Sequence, residues 1–159
     1  MRTAIVWGAE QQSDRKILVE AEPLQTMDKY RQDRADKAEA GGILLGYRRG
    51  PYLHVVQATA PQITDQRSRY RFDRAAHYHQ KIAMERWRGS DSTIDYLGEW
   101  HTHPEIKPSP SNIDIGEWSK VIKRQSKPMM FLILGLSGDT WVGMSLGQQL
   151  IRYNIIWPK

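Results

Sequence analysis

The sequence predicts an α/β fold, a mixed β-sheet flanked by helices. Segments with strand character outnumber helical ones, the two kinds mix along the chain, and no repeat, low-complexity tract or linker divides them. The 159 residues are 40% hydrophobic and 26% charged, which suits one soluble globular domain over residues 1–159 with a core of its own. No apolar run approaches the ~20 residues of a membrane span. The stretch Met1–Trp7 lacks an export signal's apolar segment, so a cytoplasmic protein without a membrane partner is expected. Cysteine is absent, which removes disulfides, thiol nucleophiles and cysteine-built zinc sites.

Taken in order, residues 3–7 and 16–20 read as short strands around the polar segment Glu10–Asp14. A charge-dense helix is expected from Leu24 to Ala38, with Lys29/Asp33 and Asp33/Lys37 paired on a solvated face and Leu24, Met27 and Tyr30 turned inward. Gly41–Tyr47 is an apolar strand flanked by glycines, Arg48–Pro51 a turn, and Tyr52–Ala58 the returning strand of a hairpin. The next strand alternates Arg67, Arg69 and Arg71 on one face with Ser68, Tyr70 and Phe72 on the other, the two aromatics toward the core. A helix from Arg74 to Trp87 breaks at Gly89–Ser92, and Ile94–His101 forms a strand. Pro104, Pro108 and Pro110 enforce an irregular loop before a helix over Asn112–Gln125. Met129–Leu136 and Thr140–Leu146 read as a buried hairpin, and Gln149–Ile156 as the last strand.

The net charge is +5, much of its excess in Arg67, Arg69, Arg71 and Arg74. No nucleic-acid-binding motif accompanies it, so nucleic acid is not the expected partner. The arginine stripe is either a solvated sheet face or a docking surface for an acidic protein.

Chemistry concentrates around His101-Thr102-His103-Pro104. Histidines one residue apart on a strand point to the same face. A carboxylate from the following element could complete three protein ligands to zinc, and the open fourth position is what separates a catalytic zinc from a structural one. Each piece also has an ordinary reading. A His-X-His pair on a half-buried strand can be purely structural, Ser111 and Asp114 fit a helix capping box, and Glu39 could simply end its helix.

In combination the pieces are specific. Glu39-Ala40-Gly41-Gly42-Ile43-Leu44-Leu45-Gly46 is followed by His101-Thr102-His103-Pro104 and, after a seven-residue spacer, by Ser111-Asn112-Ile113-Asp114. Over about residues 17–146 this pattern resembles the JAMM metalloproteases, also called MPN-plus or JAB, with every motif position filled. The resemblance implies a single-domain fold similar to the cytidine-deaminase architecture, with a curved mixed sheet flanked by helices. It implies zinc held by His101, His103 and Asp114, Glu39 as the base that takes a proton from water and returns it to the leaving amine, and Ser111 as hydrogen-bond donor to the oxyanion. Ser109 lies nearby but off the motif. His54, His77 and His79 have no matching role and read as structural or surface residues. Glu105 is off-motif too, and Glu99, two residues before His101 on its strand, is placed to support the site from behind.

The resemblance further implies a protein substrate with an extended ubiquitin-like or conjugated C-terminal tail, cleaved at an isopeptide or peptide bond. Residues 63–87 occupy the position of a docking insertion in that family, where Arg67, Arg69 and Arg71 could meet the modifier. A second, zinc-bearing insertion of some eukaryotic members is missing. The compact form is similar to bacterial stand-alone JAB proteins encoded beside ubiquitin-type activating and conjugating enzymes in antiphage operons. In CBASS systems such a protein frees a conjugated cyclic-nucleotide synthase from its targets. The alternatives are a JAMM peptidase trimming a ThiS- or MoaD-like sulfur carrier, a non-catalytic MPN scaffold, and, on charge alone, nucleic-acid processing.

Overall fold

The structure is a computed structural model describing residues 2–62, 65–74 and 76–159, with backbone alone at 73, 76 and 77. The side chain of His77 therefore lies outside the described residues. The elements run β1 Ile5–Gly8, β2 Lys16–Val19, α1 Ala21–Asp28, β3 Gly41–Arg49, β4 Tyr52–Ala58, β5 Gln66–Ser68 and β6 Arg71–Asp73. There follow α2 Ala76–Gly89, β7 Asp95–Thr102, α3 Asn112–Arg124, β8 Met130–Leu134, β9 Thr140–Leu146 and β10 Gln149–Trp157.

Eight strands form one mixed sheet in the order β1-β10-β9-β8-β7-β3-β4-β2, and it closes on itself. The expected sheet was curved; the structure goes further, because β1 pairs antiparallel with β10 on one side and with β2 on the other. Closure satisfies the backbone groups that an open sheet would leave at its edges. The pairs β2/β4 and β7/β8 are parallel, and α3 provides the crossover between the latter two. No helix among the described residues is long and apolar enough to cross a membrane.

The closed sheet packs Trp7, Ile17, Leu44, Val55, Leu97 and Trp100 inside, with Leu132, Met144 and Tyr153. Outside it, α3 lays Trp118, Val121 and Ile122 over Phe131, Ile133 and Trp141. Strand β8 is buried on both faces, which explains its unbroken apolar run Met130-Phe131-Leu132-Ile133-Leu134. Gly98 lets β7 press against β8, since a side chain there would strike the Met130 carbonyl.

Two expected elements differ. The helix predicted over Leu24–Ala38 is only α1, and the chain from 31 to 40 has no regular structure beyond a turn. Gln32 is the reason. It is fully buried and bridges distant backbone, accepting from the Thr102 hydroxyl at 2.9 Å and donating to the Arg69 carbonyl at 2.6 Å. The Asp33–Lys37 pair survives at 2.8 Å without a helix beneath it. The arginine-striped strand is instead a two-stranded hairpin that turns at Arg69 and Tyr70, with Arg67 opposite Phe72. The turn moves Tyr70 out of the core to 79% exposure and leaves Phe72 half-buried.

Candidate metal centre

Strand β7 delivers the histidines, and an irregularity in it sets their direction. Leu44 pairs with Gly98 but Leu45 with Tyr96, so Leu97 is an extra, bulged residue. A bulge shifts the alternation beyond it. Leu97 and Trp100 therefore both enter the core, while Glu99 and His101 face a cleft of about 560 Å³. Beyond Thr102 the chain stays on the sheet through His103 N–H to the Leu134 carbonyl, which brings His103 beside His101. Gly135 gives the proline-rich loop room to return, since a side chain there would lie 2.6 Å from the Glu105 carbonyl.

Helix α3 supplies the acid. The Ser111 hydroxyl accepts from Asp114 N–H at 3.1 Å, and Asp114 Oδ2 accepts from Ser111 N–H at 2.8 Å, so the predicted capping box is formed. The cap fixes the Asp114 rotamer while the carboxylate still reaches both imidazoles: Oδ1 lies 3.3 Å from His101 Nε2 and Oδ2 3.2 Å from His103 Nε2. The two Nε2 atoms are 3.1 Å apart. Glu39, just before β3, brings Oε1 to 3.5 Å from His103 Nε2 and 3.9 Å from His101 Nε2. The fold thus gathers Glu39, His101, His103 and Asp114 from three separated stretches, and Ser111 lines the same cleft.

This cluster suits a metal ion. A tetrahedral ion with nitrogen and oxygen ligands at ~2.0–2.2 Å separates its ligand atoms by roughly 3.3–3.6 Å, close to the 3.1–3.3 Å found among His101, His103 and Asp114. Glu39, His101 and His103 also lie near enough together to share an ion. Asp114 is the nearer carboxylate to both rings, whereas Glu39 stands further back.

The charges are set by burial and neighbours. Burial pushes the Glu39 carboxyl up to about 7, against the pull of the two imidazoles. Asp114 is partly buried too, but hydrogen bonds from His101 and His103 hold it well below the usual carboxylate range. His103 is pushed down by burial, yet Asp114 and Glu105 outweigh that and raise it.

Several residues have roles the sequence left unassigned. Glu105 Oε1 lies 2.8 Å from His103 Nδ1, and a carboxylate there accepts, so Nδ1 carries a proton; with Nε2 deprotonated, its lone pair would be free for a metal ion. Glu99, expected behind His101, is instead bound by the Tyr96 hydroxyl at 2.9 Å and by Arg74 at 3.2 Å, forming part of the cleft wall. A carboxylate two residues from a candidate metal-binding histidine is the available signal, but it marks both acids equally. Trp118 packs against His101 with ring centres 5.8 Å apart.

The remaining described histidines are structural. His54 sits between Glu20, at 2.7 Å, and Arg49. His79 is buried between Asp65 at 3.0 Å and the Thr59 hydroxyl at 2.7 Å, tying α2 to the strand β4 end. Ser109 is exposed and does not line the cleft.

The arginines also divide. Arg67 Nε donates to the Glu39 carbonyl at 2.9 Å, and Arg69 Nη1 to the Arg34 carbonyl at 2.7 Å. Arg71 and Arg74 line the cleft. They do not form one stripe.

Comparison with known proteins converges on one family. Residues 23–145 match the profile described as prokaryotic homologs of the JAB domain. A Pseudomonas aeruginosa protein named CD-NTase/cGAS isopeptidase is 41% identical over 114 residues, 70% of this chain and 72% of that protein. Proteins of the same name from Escherichia coli and Vibrio cholerae are each 37% identical, over 84% and 83% of this chain and the same shares of their own. A solution structure from Desulfitobacterium hafniense shares the fold at TM-score 0.61 and 21% identity, covering 84% of this chain and 87% of that one.

Proposed function

The chain belongs to the family of prokaryotic homologs of the JAB domain, and from that premise we propose that it is a zinc isopeptidase. Its substrate is a cyclic-nucleotide synthase of the CD-NTase class joined through its C-terminal tail to another protein, and its setting is a CBASS-type antiphage system. The names of relatives 37–41% identical support the substrate. The observation that carries the chemistry is the meeting of two imidazole nitrogens and one carboxylate within 3.1–3.3 Å at the floor of a cleft, with Glu39 beside them.

His101, His103 and Asp114 would hold the ion. When bound, zinc supplies Lewis acidity, polarising a carbonyl and acidifying water near neutral pH. Glu39 takes the proton from the attacking water and passes it to the departing lysine amine, a double duty open to a carboxyl that stands beside both imidazoles. Ser111 accepts the Asp114 amide at its oxygen and keeps its own proton to donate to the developing oxyanion. Glu105 fixes the tautomer of His103.

The test uses the purified protein and a CD-NTase linked through its C-terminus to a lysine of a carrier protein. Release of intact CD-NTase is expected, lost on chelation and restored by zinc. No release by the zinc-loaded protein, from this conjugate or from a linear fusion of the same tail, would overturn the reading.

A further inference from the structure

Glu39 lies between two elements that hold its backbone. On one side Ala40 N–H donates to the Thr102 hydroxyl at 2.9 Å, and Thr102 N–H donates to the Ala40 carbonyl at 2.8 Å, which fastens the segment to the histidine strand. On the other side Glu39 N–H donates to the Ser68 carbonyl at 2.6 Å, and Arg67 Nε donates to the Glu39 carbonyl at 2.9 Å. Arg67 Nη2 reaches the preceding Ala38 carbonyl at 3.5 Å. Both peptide groups of Glu39 are thus bound from the β5–β6 hairpin. Neither β5 nor β6 pairs with a strand of the closed sheet.

We infer that Arg67 is a positioning residue. It locks the peptide of Glu39 to the hairpin that walls the cleft and so fixes where the Glu39 carboxylate stands over the imidazoles. Geometry favours this over a docking role for its charge. Arginine offers a rigid fork of donors, and here the fork is turned onto two successive carbonyls of the chain itself. Arg69 makes the contrast: it has the same charge two residues on, but its donor goes to Arg34, away from Glu39. Glu39 begins its stretch with no helix behind it, so these contacts must do what a regular element would otherwise do.

The inference rests on Glu39 as proton carrier, and two separate measurements test it. The variants are Arg67→Ala and Arg69→Ala, which remove equal charge. Amide hydrogen exchange in the metal-free protein is expected to speed up at Glu39 by about tenfold or more in Arg67→Ala and to stay unchanged there in Arg69→Ala. On the CD-NTase conjugate, Arg67→Ala is expected to lower kcat by about ten- to a hundredfold with KM unchanged and zinc affinity retained, since small misplacements of a reacting group cost that much. Arg67→Lys, which can still bind one carbonyl, should recover part of the loss. Unaltered exchange at Glu39 would overturn the inference, and so would a raised KM at unchanged kcat in both variants. If the wild-type protein cleaves no conjugate, the proposed function has failed, and the exchange comparison alone decides whether Arg67 holds Glu39.

Discussion

The two walls of the cleft are built differently. The histidine wall is the end of β7, inside a closed sheet, with Trp100 and Thr102 fully buried behind His101 and His103. The opposite wall is the β5–β6 hairpin, two three-residue strands outside that sheet, with Gln66, Arg67 and Ser68 exposed and Tyr70 at its tip. One wall is positioned by strand pairing and core packing. The other is held by side chains bonded to backbone, through Arg67, Arg69 and Gln32. A metal centre needs its ligands fixed to within about half an ångström, which a packed sheet provides. A wall that carries none of the candidate metal ligands needs only approximate placement. Damage to the first wall should therefore abolish the chemistry, and damage to the second should grade it.

The largest effect is expected from His101→Ala/His103→Ala. Metal analysis should show loss of bound zinc, and cleavage should be undetectable. Full zinc occupancy in this variant would place the ion elsewhere and remove the basis for contrasting the walls.

Glu39→Gln should retain zinc and lower kcat by about 10²–10⁴-fold. It also makes a prediction about stability in the metal-free protein. With its carboxyl raised to about 7 from an ordinary 4.5, folded Glu39 binds its proton more tightly than the unfolded chain does. Its contribution is complete below pH 4.5 and is lost as pH rises through 7, by about 3 kcal/mol at most. The raised His103 acts in the same direction, and the lowered Asp114 acts only below this window. Denaturant unfolding of chelated wild type from pH 5 to 8 should therefore show falling stability, with a shallower fall in Glu39→Gln. Equal slopes would mean that Glu39 is not buried as a neutral acid.

Ser111→Ala sharpens the comparison because Ser111 serves both structure and chemistry. Loss of an oxyanion donor predicts a ~10²-fold lower kcat, and loss of the cap predicts ~1 kcal/mol of stability. A stability loss without a kinetic one would leave Ser111 as a cap alone.

The smallest effect belongs to the hairpin tip. Tyr70→Ala should raise KM by about fivefold, equivalent to ~1 kcal/mol of contact, with kcat unchanged. A fall in kcat of the size expected for Glu39→Gln would show that the hairpin wall is as rigidly coupled as the histidine wall.

Most of the fold could be read along the chain because local signals suffice for it. The candidate site, by contrast, was legible only through the combined motif, since each of its pieces alone has an ordinary reading. Alternating and continuous apolar runs marked the strands of the closed sheet, and Ser111 with Asp114 signalled the helix start. The hairpin failed for a local reason as well. Arg67 to Phe72 alternates like a single strand, and no glycine or proline marks the turn at Arg69–Tyr70. The helix over 24–38 failed because burying Gln32 against Thr102 and Arg69 outweighs propensity, and both partners are remote in sequence.

By itself the sequence marked the candidate site residues: Glu39, His101, His103, Ser111 and Asp114 have the types and spacing of the JAMM pattern they resemble, and these are properties of the chain alone. Only the tertiary structure decided how they are aimed and held. The Leu97 bulge turns His101 and Glu99 to the cleft, Glu105 rather than Glu99 backs a histidine, and Arg67 binds the Glu39 peptide. Each of these is a hydrogen bond or a register shift, made or lost within an ångström or by one residue, and that precision exists only once the sheet has closed.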